Sequence, residues 1–230
     1  MSSEHRSGDV VDVADDLADA DGAEDAGGPA AGTGVGRVAA VRRSYVVLVL
    51  VTGVLGTFAS LELMLDHIRI LADPDFTPAC DINPLIGCGI FLESWQAKVF
   101  GIPNPVLGLL TFPVVLTTGV LLASRVRLPR WYWRCLLAGA TLGIAFVTWL
   151  QVAAITQIGA LCPYCLVVWA VVIPFFVHTV AATMAGGALP AGEGLRSFVT
   201  KNAWLITALW YLLVVAGALF GLGDAWLTVF

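Results

Sequence analysis

Four of the five cysteines in this 230-residue chain form two closely spaced pairs. Cys162 and Cys165 form a Cys-x-x-Cys motif, a spacing that lowers thiol pKa and supports dithiol–disulfide exchange. Cys80 and Cys88 stand eight positions apart in a segment rich in proline and glycine, which indicates a flexible loop. If both pairs face the same compartment, electrons can pass from one pair to the other.

The composition is that of a membrane protein. The chain is 58% hydrophobic and 13% charged, whereas soluble domains are about 45–50% apolar and about 25% charged. The apolar residues gather in five segments close to the length of about 20 residues that crosses a bilayer. These segments cover approximately residues 44–65, 105–123, 135–158, 161–184 and 203–222. The sequence therefore predicts an all-α integral membrane protein.

The first 36 residues differ from the rest of the chain. Nine of the 17 acidic residues fall within the first 25 positions, among many alanines and glycines and no aromatic residue. Such a segment buries too little apolar surface to offset the entropy of ordering. We therefore expect residues 1–36 to form a disordered acidic tail, and they lack the basic start and apolar core of a signal peptide.

Basic residues predict the orientation of the spans. Ten of the 12 lysines and arginines lie before the first segment, between the second and third, or between the fourth and fifth. Arg69 and Lys98 alone fall on the opposite side. By the positive-inside rule, the N-terminus is cytoplasmic. The loop at residues 66–104, the turn before Cys162 and the C-terminus then lie outside the cell membrane, so both cysteine pairs face the oxidising side.

Two other interpretations of Cys162 and Cys165 are open at this point. They could form a static disulfide, although a loop this short restrains little chain entropy. They could also be half of a zinc site, but zinc takes four cysteine or histidine ligands, and His67 is the only histidine on that side. Redox chemistry without a metal is the interpretation that we favour.

The Cys80–Cys88 pair and the single Cys135 are less informative than the Cys-x-x-Cys motif. Cys80 and Cys88 by themselves would more often be a structural disulfide, and the second pair on the same side is what favours a redox role. Cys135 falls at the cytoplasmic end of the third segment, where we expect a small buried hydrophobic residue.

Dithiols in a membrane need an electron acceptor. The sequence carries no phosphate-binding or dinucleotide-binding motif and no pair of outer histidines for haem. A lipid-soluble quinone between the helices is the expected acceptor, and no nucleic-acid partner is expected.

Together these residues resemble the vitamin K epoxide reductase family. The pattern consists of Cys80 followed by Asp81, a second cysteine at Cys88, then Ser94 and a tryptophan, then a Cys-x-x-Cys motif that opens the fourth segment. The resemblance covers about residues 45–185. It implies a four-helix bundle around a quinone, with the fifth transmembrane helix beyond it, and disulfide formation as in the family's bacterial members.

The resemblance also implies a role for each cysteine. Cys80 would react with a secreted substrate, and Cys88 would form a mixed disulfide with Cys162. Cys165 would face the quinone, with Cys162 as its resolving partner. Electrons would pass from the Cys80–Cys88 pair to the Cys162–Cys165 pair and then to the quinone.

The implied quinone site contains Asn104, Trp169, Ser94 and Leu92. Asn104 matches the family's asparagine that hydrogen-bonds the quinone, and Trp169 stands where the family often has tyrosine. Indole can donate one hydrogen bond but lacks the acceptor of a phenol. From the residues alone, Asn104 stands between two prolines at a helix start, and helix capping is the slightly favoured interpretation.

The resemblance predicts how the chain is divided. We expect a redox domain at residues 37–185 with its outer loop at 66–104, a cytoplasmic loop at 186–202, and a fifth helix with a short outer tail at 203–230. Some family members carry a fused thioredoxin-like domain after the fifth span. This sequence ends at Phe230, so the expected partners are a separate secreted thioredoxin-fold dithiol protein and a menaquinone or ubiquinone.

Three alternatives to disulfide formation are carried forward. The chain could be a scaffold with structural disulfides, it could be a small transporter, or its main reaction could be quinone epoxide reduction. A transporter usually has ionisable residues within its spans, and here only Glu62, His178 and the end-of-span Asp66 qualify.

Overall fold

Helices account for nearly all of the regular structure in the part of the chain that the structure describes. The computed structural model describes residues 42–73, 75–83 and 85–223, so the acidic segment at 1–36 and the last seven residues lie outside the described part. The helices are α1 (Arg43–Ala72), α2 (Gly89–Glu93), a 3₁₀ helix (Trp95–Lys98), α3 (Asn104–Ala123), α4 (Arg130–Ala153), a π-helix (Ala154–Ile158), α5 (Pro163–Ala185) and α6 (Glu193–Gly221).

Five helices in the described residues have the length and apolar composition needed to cross a membrane. They are α1, α3, α4 with its π-helical extension, α5 and α6. The described residues contain no strand, and only isolated bridges pair extended segments. The prediction of an all-α membrane protein is therefore confirmed.

The two helices that extend furthest beyond the apolar segments that predicted them are α1 and α6. α1 continues to Ala72, and its final turns carry an ion pair between Asp66 and Arg69 with an N–O distance of 3.1 Å. α6 begins at Glu193, and non-helical backbone angles at Asn202 divide its polar start from its apolar part. In both cases the helix extends through polar residues, which hydropathy does not count as part of a span.

Small residues allow α1 and α3 to pack closely. A Cβ atom added to Gly53 would lie 2.5 Å from the Leu116 Cα atom, and one added to Gly119 would lie 2.8 Å from a methyl group of Leu50. Helices in membranes associate through such close backbone approach, because burial of apolar surface gives little driving force between them.

α5 is the most buried of the membrane helices, and it contacts three of the others. Hydrogen bonds join it to α1, where the Tyr45 and Thr179 hydroxyl oxygens lie 2.9 Å apart. On its other side the Tyr211 hydroxyl of α6 donates to the carbonyl of Ala170. α4 also packs on α5, so α5 lies at the centre and α6 at the periphery.

A tight turn joins α4 to α5. The last turn of α4 widens into the π-helix, and Gly159 follows in the left-handed region at a φ of 72°. Cys162 is then the N-cap of α5, with Pro163 in the first helical position, where its missing N–H costs no hydrogen bond. The turn therefore presents the Cys-x-x-Cys motif at the end of the bundle where α1 ends, which we call the cysteine end.

Cys135 lies exposed in the first turns of α4, and the expectation that it is buried was wrong. The physical reason is the solvent. A small apolar side chain on a membrane helix can face lipid, so its hydrophobicity does not require burial against protein.

Candidate redox-active site

The Cys80–Cys88 loop is attached to the α4–α5 turn by backbone hydrogen bonds. The Gly87 N–H donates to the Leu161 carbonyl at 3.1 Å, and the Leu161 N–H donates to the Leu85 carbonyl at 2.8 Å. The composition of this loop indicates flexibility, but these two bonds fix the end that carries Cys88. That attachment brings the loop cysteines to the Cys-x-x-Cys motif.

Three of the four paired cysteines meet in one buried cluster. Cys80 and Cys88 form a disulfide with an S–S distance of 2.11 Å. The Sγ atom of Cys162 lies 3.3 Å from the Sγ atom of Cys88. Cys88 is 0% exposed and Cys162 is 1% exposed, so the contact between the two pairs is shielded from solvent.

The fourth cysteine lies one turn further along α5 and contacts this cluster. Cys165 is half-buried and packs against the group that contains Leu63, Leu92 and the other three cysteines. It also packs against the neighbouring core around Trp169. Cys165 thus lies between the cysteine cluster and the apolar interior of the bundle.

Local hydrogen bonds favour a thiolate at Cys162. The Cys165 thiol donates a hydrogen bond that lowers the pKa of Cys162, and the backbone N–H groups of Cys165 and Tyr164 at the start of α5 act in the same direction. Burial and the charge of Asp81 oppose this effect, but the net shift of the pKa is downward. Helix N-termini are a common source of depressed thiol pKa values.

Two aspartates organise the loop pair. Asp66, which is 4% exposed, has its Oδ2 atom 3.8 Å from the Sγ atom of Cys80. Asp81 Oδ1 accepts from the backbone N–H of Cys88 at 2.5 Å and from that of Gly89 at 3.0 Å. Neither aspartate was among the predicted site residues, although Asp81 follows Cys80 in the motif and Asp66 stood out as an ionisable residue ending a span.

The predicted quinone residues fall in three different surroundings. Leu92 is buried with the cysteines, and Trp169 is buried in the core one turn beyond Cys165. Ser94 instead closes α2, with its hydroxyl donating to the Phe91 carbonyl at 2.7 Å. No hydrogen bond among the described residues joins Ser94 to a cysteine.

Asn104 belongs to a polar group of its own. It is the first residue of α3, and Pro103 occupies the N-cap position without a side-chain cap hydrogen bond. The Asn104 Nδ2 atom donates to the Gln96 carbonyl at 2.7 Å, and the Gln96 amide donates to Gln157 at 2.8 Å. These contacts join the 3₁₀ helix to α3 and to the π-helix. Gln96 and Gln157 were not predicted, since a lone glutamine in an amphipathic segment carries no distinctive signal.

The buried Asn104 Oδ1 atom has no hydrogen-bond partner among the described residues. An unpaired buried acceptor is costly, and a hydroxyl donated by a bound molecule would satisfy it. The Nδ2 group retains a second N–H for a carbonyl. Asn104 therefore fits a group that alternates between a carbonyl and a hydroxyl, as quinone and quinol do.

A zinc site fits these residues less well. Among the described residues, Cys80, Asp81 and Cys88 bring potential ligand atoms within 4.8 Å of one another. However, the two sulfur atoms are bonded to each other, and structural zinc takes four ligands.

These features define a class of protein: an all-α multi-pass membrane protein with two cysteine pairs in contact at one end of its helices. A protein-family model described as the vitamin K epoxide reductase family matches residues 47–180, and the chain belongs to that family. The predicted resemblance is thereby confirmed. Searches of curated proteins and of solved structures gave no match.

Membership in the family establishes the general activity. The chain is an oxidoreductase, and the family's proteins use quinones. The family includes quinone-linked thiol oxidoreductases and epoxide reductases.

Proposed function

We propose that this protein oxidises dithiols of a secreted thioredoxin-fold partner and passes the electrons to a membrane quinone. The observation that carries the proposal is the 3.3 Å separation of the Cys88 and Cys162 sulfur atoms, beside the Cys80–Cys88 disulfide. Thiolate attack on a disulfide requires close approach of two sulfurs. A static role for all four cysteines would not require two reduced thiols beside a disulfide.

The first half of the reaction takes place at the loop pair. A thiolate of the partner attacks the Cys80 Sγ atom, and Cys88 leaves as a thiolate. The partner's second thiolate then attacks its own mixed-disulfide sulfur and releases Cys80. The partner departs with a disulfide, and its two electrons remain on Cys80 and Cys88. In this proposal Asp66, whose Oδ2 atom lies 3.8 Å from the Cys80 Sγ atom, exchanges the proton that Cys80 gains or loses.

The second half transfers the electrons into the bundle. The Cys88 thiolate attacks Cys162 in a Cys162–Cys165 disulfide, and Cys165 leaves as a thiolate. Cys80 then attacks Cys88, which restores the loop disulfide and releases Cys162. One disulfide at Cys80–Cys88 and two thiols at Cys162 and Cys165 correspond to the chain at this stage. The depressed pKa of Cys162 favours its role as a leaving group.

A quinone, when bound, accepts two electrons and two protons from the Cys162–Cys165 dithiol. In this proposal the Asn104 side chain orients it with one N–H and the buried Oδ1 atom, which has no partner in the described chain. Trp169 and Leu92 contribute apolar contact and exclude water. The quinone that we propose is a menaquinone or a ubiquinone.

The distribution of basic residues supports the proposed orientation. In the described part of the chain, eight lysines and arginines lie at the end opposite the cysteines, and Arg69 and Lys98 lie at the cysteine end. We place the cysteine end on the outer side of the cell membrane, where a secreted partner can reach it.

Turnover by cysteine variants tests this function. Purified Cys162→Ala and Cys165→Ala proteins should lose dithiol-driven quinone reduction, because each lacks one half of the pair that donates electrons. In the Cys165→Ala protein the Cys162 thiolate can attack Cys88 of the loop disulfide, with Cys80 leaving as a thiolate. A Cys88–Cys162 disulfide should therefore accumulate, identified by mass spectrometry of acid-quenched, alkylated peptides. Cys135→Ala is the matched control and should keep both turnover and the normal disulfide.

Wild-type turnover in either the Cys162→Ala or the Cys165→Ala protein would reject the proposed electron path. The assay also separates the alternatives. Reduction of a quinone epoxide at a rate well above that of the quinone would favour epoxide reduction, and a Cys80–Cys88 disulfide that never opens would favour a structural staple.

A further inference from the structure

α4 and α6 enclose an apolar groove that is separate from the proposed redox site. Its volume is about 460 Å³, within the roughly 300–1,000 Å³ range of small-molecule sites. Its walls include Val152 from α4, Ile155 from the π-helix that extends α4, and Leu213 and Gly217 from α6. None of the paired cysteines, Asn104 or Trp169 lines it.

The groove exists because α6 packs on α5 rather than along α4. The Tyr211 hydroxyl holds α6 to the Ala170 carbonyl, and the Trp210 ring packs edge-on against Phe176 of α5. α6 contacts α4 mainly at the π-helix. The space between these contacts and the body of α4 is left open.

One buried polar group in the wall of the groove has no partner. Gln151 is 4% exposed, and its Nε2 donor makes no hydrogen bond within the described chain. In the hydrocarbon region no water is available to satisfy such a donor, which makes it costly. An oxygen atom of a molecule bound in the groove would satisfy it.

The depth of Gln151 restricts the chemistry of that molecule. Gln151 lies seven residues before Ile158, where the span ends, or about 10 Å below that end at a rise of about 1.5 Å per residue. The ester oxygens of a phospholipid lie at the boundary of the hydrocarbon and would have to move inward by this distance. An uncharged ring that carries carbonyl groups and an apolar tail dissolves at this depth.

We propose that the α4–α6 groove binds a second lipid quinone, whose carbonyl accepts a hydrogen bond from Gln151. The ring lies against Val152, Ile155 and Gly217, and the apolar tail continues into the lipid. The choice of ligand rests on the proposed function, since it assumes that quinone is this chain's acceptor. The groove itself contributes no group to the thiol chemistry.

Photolabelling of the full chain tests this site without using activity. The purified protein is placed in nanodiscs free of natural quinone and illuminated with an azido-quinone that carries an isoprenoid tail. Labelled peptides from the second half of α4 and from α6 report the groove. Peptides that contain Cys165 or Asn104 report the redox site separately.

Two variants should reduce the labelling of the groove and leave that of the redox site unchanged. Gln151→Leu removes the donor, and we expect about a tenfold loss at subsaturating probe, as for one buried hydrogen bond. Gly217→Leu places a side chain in the groove, and a Cβ atom there meets nothing within 4 Å, so the helix is not disturbed. Gly143→Leu is the matched control, because Gly143 is equally open but lies outside the groove.

The lipid composition distinguishes a quinone from a lipid ester. Equal labelling in nanodiscs of ester-linked and ether-linked phospholipid supports the proposal. Labelling of the groove in ether-linked lipid alone would identify an ester lipid as the occupant and overturn the proposal of a quinone. Equal labelling of wild type and Gln151→Leu would overturn the proposal as well, because the hydrogen bond from Gln151 would then play no part in binding. Groove labelling in a protein that shows no dithiol-driven turnover would reject the proposed function and leave this site supported.

Discussion

Cys162 combines burial with a depressed pKa, two properties that usually oppose each other. Burial alone raises the pKa of a thiol. Here the Cys165 thiol and the backbone N–H groups at the start of α5 donate hydrogen bonds to its sulfur and outweigh that effect. The Cys-x-x-Cys spacing on a helix therefore gives the first cysteine a stabilised thiolate through the second.

This arrangement predicts a specific pH dependence. Because the pKa of Cys162 is lowered, its alkylation rate should rise with pH and level off below the value of about 8.5 found for a free thiol. In Cys165→Ala the main donor is lost, so the midpoint should move to higher pH. The measurement is iodoacetamide labelling of the Cys162 peptide in a Cys80→Ser, Cys88→Ser background, which prevents exchange.

Cys135→Ala in the same background should leave this midpoint unchanged, because Cys135 is a separate, exposed thiol on α4. An identical midpoint with and without Cys165 would mean that the hydrogen bond does not set the reactivity of Cys162.

Some site residues could be predicted from the sequence and others could not. The Cys-x-x-Cys motif is a local signal, and its spacing favours the prediction of redox chemistry without any long-range information. The approach of Cys88 to Cys162 depends on hydrogen bonds between residues that are at least 74 positions apart in the chain. Only the family resemblance could indicate this approach. Asp66 was missed as a site residue because its contact with Cys80 depends on how the loop folds back on α1.

At the scale of helices, the α1–α3 contact depends on residues too small to obstruct it. Gly53 lies against the backbone of Leu116, which is not free to move as the end of a flexible side chain is. Glycine weakens an isolated helix by about 1 kcal/mol relative to alanine. At Gly53 the close approach of α3 outweighs that cost.

A matched pair of glycine substitutions tests this balance. Gly53→Ala should destabilise the protein by about 1–3 kcal/mol, the usual cost of overpacking a close contact. Gly143→Ala, where a Cβ atom meets nothing within 4 Å, should leave the stability unchanged or raise it by up to about 1 kcal/mol. The thermal midpoint of each variant is measured in detergent. Unfolding of the reduced protein is followed by the alkylation of Cys88 and Cys162, which are buried in the folded state.

A Gly53→Ala protein as stable as wild type would show that α1 and α3 can move apart without a loss of stability.

The existence of the helices followed from composition, but their ends did not. Runs of apolar residues near membrane-spanning length predicted all five spans. The extension of α1 to Ala72 was not predicted, because Asp66 and Arg69 lower the local hydropathy although they pair within the helix. The π-helix at the end of α4 likewise has no sequence signal that separates it from an ordinary helical turn.

For the molecule as a whole, the unequal distribution of charge between its two ends predicts its orientation. Arg127 and Asp75 are exposed positions at opposite ends of the helices. In a cysteine-free background, Arg127→Cys should react only with maleimides that enter the cell, because the positive-inside rule places this group of arginines in the cytoplasm. Asp75→Cys should react with an impermeant maleimide added outside, and mass tagging of intact and permeabilised cells compares the two.

The reverse labelling pattern would place both cysteine pairs in the reducing cytoplasm. Disulfide formation in a secreted partner would then be impossible, although the fold and the family would be unaffected.

The position of Cys88 has a consequence for the order of events. A sulfur atom takes part in one disulfide at a time. Cys88 is bonded to Cys80, and the Sγ atom of Cys162 lies 3.3 Å from the Sγ atom of Cys88 without a bond to it. Under the proposed mechanism, Cys88 is released only when a partner attaches to Cys80, so arrival of the substrate itself starts the inward transfer. Cys88 cannot be bonded to Cys80 and to Cys162 at the same time, so the outer exchange and the inner exchange cannot occur simultaneously. The steady-state fraction of Cys88–Cys162 disulfide therefore reports the share of molecules that are transferring electrons between the two pairs. That fraction should rise whenever attack of Cys80 on this bond becomes the slow step.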